Sequence, residues 1–219
     1  MRHWWNKDAM CTAAPASSNT GASTDFLLHE YDAIETDTQR LRQEGATRLN
    51  ILVALIAASL AASATALTSD RLSFSSKLTL GCGVLFSVGV YTLLCYKYFI
   101  DREITTDANF RALGRIRRYF VYADSRIVPH VSWQTSDGPT HTLKTNKSFV
   151  LLSVRHLAAV QASIFTFAWV RHYLELDQAW VWLTVCVTYA AIFAALWIWS
   201  EVRFRSAIKR AEKHMRFPQ

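Results

Sequence analysis

Four stretches of the chain are apolar without interruption or nearly so, and the polar sequence between them carries helical or alternating spacing. Residues 49–67 hold no charge, and 78–100 hold one, Lys97, near one end. Residues 179–200 are also charge-free, with Trp180 and Trp182 at one end and Trp197 and Trp199 at the other. At 1.5 Å per residue each run crosses about 30 Å of hydrocarbon, and tryptophans one bilayer apart form interfacial belts. The remaining run is free of charge only over 157–170, which is too short to span. Extending it back to Phe149 takes in Arg155 and His156. That choice is preferred because Arg155 then lies one or two turns from the surface, where its long stem can snorkel outward.

Positive charge fixes the predicted threading. Nineteen Lys and Arg fall before the first run, between the second and third, and after the fourth, and Lys97 at the adjoining end of the second run makes twenty, whereas Arg71, Lys77 and Arg171 alone fall in the two opposite connections. This asymmetry predicts four crossings with both termini and the middle loop in the cytoplasm, as in a bacterial inner membrane. The net charge of +7 is thereby explained without nucleic acid, which is not an expected partner.

The polar segments predict a tail over 1–23 without fixed structure and with no apolar signal core, then a cytoplasmic helix over 24–48 capped by Thr24 or Asp25. Its Leu27, Tyr31, Ile34, Thr38 and Leu41 follow heptad spacing. Two readings stand open: an oligomerising stalk, or a helix folded back onto the middle loop. Gly45 weakens its last turn. Within the loop 101–148, residues 104–121 form a second amphipathic helix, with Phe110, Leu113, Ile116 and Phe120 opposite Arg111, Arg115 and Arg118. That guanidinium stripe is a candidate face for anionic headgroups or another anionic ligand. Residues 131–135 and 140–145 flank Ser136-Asp137-Gly138-Pro139 and predict a small β-hairpin, with His130 and His141 read as ordinary loop histidines. The tail 201–219 is basic.

The expected fold class is therefore all-α and integral to the membrane, with four transmembrane helices as two hairpins (49–100 and 149–200), cytoplasmic amphipathic helices and a small β-hairpin. Catalytic motifs are absent from the sequence: there is no phosphate loop, GxSxG elbow, HExxH or glycine-rich dinucleotide fingerprint, and no arginine–histidine pair at the spacing of HEPN-type ribonucleases. No enzyme activity, metal or cofactor is expected. The four cysteines form no CxxC pair. No carboxylate lies within a span, which argues against ion-coupled transport. What the spans do carry is a candidate polar site, Arg155, His156 and Gln161, and small residues at four-residue steps that permit close helix packing: Ala54, Ala58 and Ala62; Gly83 and Ser87; Ala158 and Ala162.

The element Arg115-Ile116-Arg117-Arg118-Tyr119-Phe120 after the second span resembles bacterial four-span membrane proteins that share an I-R-x-Y-F element. More loosely, the helix running from Tyr31 into the first span is similar to the SLATT group, two-span domains proposed as pore-forming defence effectors. That resemblance implies a self-assembling pore. Three functions follow as expectations: a structural or regulatory protein binding a cytoplasmic partner, an oligomeric pore-forming or membrane-perturbing effector, and a small transporter whose cavity is lined by Arg155, His156 and Gln161.

The charge asymmetry makes a direct prediction. A phosphatase reporter active only outside the cytoplasm is silent when fused after Gln219 and active when inserted near Ser69 or Asp177; activity of the C-terminal fusion would reverse the threading.

Overall fold

The structure is a computed structural model and describes residues 20–68, 73–124, 126, 128, 137–146, 148–173 and 177–215. Five helices account for most of it: α1 (Thr20–Thr68), α2 (Phe74–Ala123), α3 (His141–Thr145), α4 (Phe149–Tyr173) and α5 (Gln178–Lys213). Among the described residues there is no strand. Four of the helices are long and apolar enough to cross a membrane. Only 11% of the most apolar stretch of α1, and the same share in α5, is buried inside the protein. Exposed apolar surface of that kind is compatible with a multi-pass membrane protein.

Several sequence boundaries disappear. Residues 24–48 and the first apolar run are one helix of 49 residues, and the second run and the loop helix are one helix of 50. Neither junction contains proline, and charged residues at 101–103 and 40–48 are good helix formers, so nothing stops propagation. Thr24 and Asp25, expected as caps, lie inside α1. The capping residue that the structure does show is Ser73, whose hydroxyl accepts from Ser76 N ahead of α2. The expected hairpin is corrected in its second arm: residues 141–145 are a short helix, α3, while 131–136 lie outside the described residues. Asp107 accounts for the change locally. Its buried carboxylate accepts from Thr140 N at 2.7 Å and from Arg111 Nε at 2.9 Å, which holds the entry to α3 against α2 instead of leaving it to pair as a strand.

Helix α1 packs on α2 alone, α4 packs on α5, and α2 also meets α4, α5 and α3. Below the apolar runs the α1/α2 pair continues in constant antiparallel register. Tyr31 Oη accepts from Arg117 Nη2 at 2.9 Å, Asn109 Nδ2 donates to Asp37 and Thr38, Arg102 crosses Gly45, and the Arg48 guanidinium covers the Tyr98 ring at 4.1 Å. The heptad positions Leu27, Tyr31, Ile34, Thr38 and Leu41 are the covered face of this part of α1, and most of the residues between them are exposed. The seam is covered by the chain's own α2. Gly45 serves this contact: a Cβ there would meet the Arg102 guanidinium, itself held by Glu103 at 2.8 Å and over the Phe99 ring. Charge reinforces the pairing. Residues 20–39 contain five carboxylates and no Lys or Arg, while 108–123 contain four arginines and no carboxylate. Nearer the first span, Glu44 has its carboxyl held below the usual range, first by the hydrogen bond from Arg40.

The buried apolar residues cluster at one level of the four long helices, where α3 packs on α2 and α5. Leu52, Cys95, Tyr96, Phe99, Ile100, Leu143, Leu151, Val154 and Phe204 form that core. Those in the long helices lie near the ends of the apolar runs that adjoin charged segments. Toward the opposite ends Phe86, Trp180 and Trp182 stand exposed.

Candidate functional site

The core just described contains a full positive charge. Arg155, on the second turn of α4, has no solvent exposure, so its guanidinium does not snorkel as the sequence reading proposed. It is held from three elements: Nε donates to Tyr96 Oη of α2 at 2.7 Å, and Nη2 donates to Asn146 Oδ1 at 2.6 Å and to Ser200 Oγ of α5 at 2.9 Å. The plane lies over Trp197 at 4.5 Å. Among the described residues no carboxylate comes within ion-pair distance, and Nη1 has no hydrogen-bond partner.

Each partner is itself fixed. Tyr96 Oη donates to Leu196 O at 2.7 Å, and Ser200 Oγ donates to Trp197 O at 2.8 Å. Asn146 follows the last residue of α3 in the left-handed region, φ 52°, a conformation that asparagine tolerates better than other side-chain-bearing residues. From there its Nδ2 donates to Ser200 Oγ and to Glu201 Oε2 at 3.3 Å. The nearest negative charge thus reaches Arg155 through one amide dipole. Removing a guanidinium from water costs several kcal/mol, and three hydrogen bonds to a charged donor, at about 1.5–3 kcal/mol each, are of the size needed to offset it. The arrangement is a clamp: one side chain joins α2, α4, α5 and the turn after α3.

The other two members of the predicted polar site point elsewhere. Gln161 is buried, with its amide against Thr92 Oγ1 at 2.9 Å, away from the guanidinium network. His156 is exposed on the α4/α5 surface, bonded to Tyr189 Oη and packed on Phe193 at 4.9 Å. The three do not line one cavity, so the transporter site drawn from them is not what the structure assembles. The partners of Arg155 were missed because Tyr96, Asn146 and Ser200 are ordinary residues in sequence. The signal was available in Arg155 itself, since an arginine that far into an apolar run requires either the interface or a set of acceptors.

The arginine stripe is spread among different partners. Arg111 pairs with Asp107, Arg115 Nη1 lies 3.9 Å from the buried Asp137 carboxylate, and Arg118 donates to Tyr122 Oη. Because α2 is unbroken, these residues lie about 16 to 27 Å along the helix beyond Ile100. Among the small residues, Ala158 is buried against the core and Ala162 is half-buried, whereas Ala54, Ala58, Ala62, Gly83 and Ser87 are exposed. His130 lies outside the described residues.

Comparison with protein-family models, with curated proteins and with solved structures finds no match to this chain.

The clamp predicts an inverted order of substitution effects. Arg155→Lys keeps a buried charge without its fork of donors and lowers stability by about 3 kcal/mol, at least as much as Arg155→Met, which removes the charge. Thermal unfolding of the detergent-purified protein reads the order; a fully tolerated lysine variant would return Arg155 to the interface.

Proposed function

We propose that the chain is a multi-pass inner-membrane protein with both termini in the cytoplasm, and that its cytoplasmic helices form a docking module with a structural or regulatory role. The threading rests on the twenty-to-three distribution of basic residues. The docking role rests on one observation. At the far end of the α1/α2 pair, Phe26 is 66% exposed and Tyr122 70% exposed, with Leu28 and Tyr119 also open to solvent. Phe26 stands about 35 Å along the helix from the start of the first apolar run, beyond the reach of hydrocarbon. Large apolar and aromatic side chains gathered in water mark protein contact surfaces.

A second reading is supported by a different observation. The exposed stripe Ala54, Ala58 and Ala62 faces outward within the apolar part of α1, where a second copy would be admitted closely, as a membrane-perturbing oligomer requires. The heptad seam gives this reading no further support, because α2 covers it.

Purification of the full-length protein in mild detergent with mass measurement separates the two. The docking module predicts a complex with another protein that Phe26→Ser together with Tyr122→Ser reduces at least tenfold, with an unchanged melting midpoint. A homo-oligomer that conducts ions in vesicles and is insensitive to those substitutions would replace it with the pore.

A further inference from the structure

The end of α5 and the Arg115 turn of α2 border a cleft of about 510 Å³. Its described lining is Arg115, Lys213, His214 and Met215: three basic side chains from two elements, and no acid. Lys213 and His214 are exposed, and among the described residues neither side chain has a hydrogen bond or an ion pair. Arg115 has one charged neighbour, Asp137, whose buried carboxylate lies 3.9 Å from Nη1, beyond hydrogen-bonding distance. The donors of that guanidinium are thus open to another acceptor.

Two ordinary causes account for parts of this cluster. Free carbonyls at a helix C-terminus favour a cation such as Lys213, although here Ala211 O and Glu212 O already accept from His214 N and Met215 N. The inward bias of positive charge in membrane proteins accounts for arginines along α2. Neither cause brings a cation of α2 and two basic residues of α5 to one cleft, where like charges repel unless an anion sits between them. Phosphate suits the set. The guanidinium fork matches two of its oxygens, the ammonium supplies a point charge and the imidazole a further N–H.

Height along the helices sets where that phosphate comes from. Arg115 lies about 22 Å along α2 beyond Ile100, and Lys213 about 20 Å along α5 beyond Ser200, so the two helices deliver their cations to one level. Even a tilt of about 40° leaves more than about 15 Å, whereas the headgroup layer extends about 6 Å past the hydrocarbon. A phosphate in solution reaches this cleft; that of a phospholipid does not.

We propose that the cleft binds a soluble anion carrying two or more phosphate groups, held by Arg115 from α2 and by Lys213 and His214 from α5. Its volume is that of an ordinary small-molecule site. The source of the anion rests on the membrane reading above, and the site is independent of what docks at Phe26 and Tyr122.

The full-length protein in phosphatidylcholine nanodiscs is titrated with inorganic pyrophosphate at about 0.15 M salt, where charge is screened beyond about 8 Å, and calorimetry reads affinity and stoichiometry. Failure to enter nanodiscs sinks the membrane reading instead. One pyrophosphate per chain is expected. Lys213→Gln combined with His214→Gln, and separately Arg115→Gln, each weaken it at least tenfold, as loss of a charge-assisted hydrogen bond does. Arg42→Gln, which removes an exposed cation of α1, changes it less than twofold. The double variant lies at an exposed helix end and carries the decision if Arg115→Gln lowers the melting midpoint through Asp137. Nanodiscs containing one-fifth phosphatidic acid separate the sources: an affinity within twofold is expected, and loss of pyrophosphate binding there assigns the cleft to a headgroup and overturns the soluble source. Absence of binding up to about 1 mM pyrophosphate, or equal weakening by Arg42→Gln and the double variant, overturns the site itself.

Discussion

The pairing of α1 with α2 in one antiparallel register is the interaction on which the rest of the molecule depends, because both helices run unbroken from the apolar segments into the polar ones. A helix fixed at Arg48 over Tyr98 is also fixed at Tyr31 against Arg117, since no kink or hinge intervenes to decouple them. Any tilt of the apolar part is carried along the stalk. The acidic first half of α1 lying against the arginine-rich end of α2 makes this register hard to exchange: a shift of one heptad would set Asp37 away from Asn109 and leave Arg102 facing a side chain instead of Gly45.

Packing is unequal along the bundle, and the inequality divides structural from functional roles. At one level Arg155, Tyr96, Asn146 and Ser200 join three long helices and the turn after α3, with Phe99, Leu151 and Phe204 close by. A buried charge satisfied only by neutral acceptors is intolerant of small displacements, so this level is rigid. Toward the other ends Trp180 and Trp182 are exposed and a cleft opens beside Gln161, while α4 and α5 stay in contact through Phe167 and Trp182. The exposed apolar cluster at Phe26 and Tyr122 lies at the far end of the continuous helices α1 and α2.

Much of this was legible in the sequence. Apolar run length identified the four helices that are long and apolar enough to cross a membrane, and the choice of Phe149 as the start of the third agrees with the first residue of α4. Heptad spacing identified the buried face of α1 residue by residue, although spacing alone does not say whether the partner is the same chain. What was not legible follows from long-range geometry. The snorkelling expectation for Arg155 considered its own helix only, whereas its acceptors are separated from it by 59, 9 and 45 positions. The hairpin expectation for 131–145 counted alternation and turn residues but not Asp107, whose carboxylate captures Thr140 from another helix. The breaks expected near residues 48 and 100 came from treating a change of polarity as a change of structure; helix propagation is indifferent to polarity when both sequences form helix well.

The central claim, that the polar half of α1 is folded on α2 of its own chain, is tested most directly by a paired cysteine cross-link. With Cys11, Cys82, Cys95 and Cys186 replaced by serine or alanine, Thr38→Cys and Asn109→Cys are introduced together into the full-length protein and oxidised in membranes. The account predicts an internal disulfide in the monomer, formed equally well after dilution into excess detergent, and none between 38 and a cysteine placed one heptad away at 116. A dimer joined through 38 and 109 of different chains, with no internal cross-link, would contradict it.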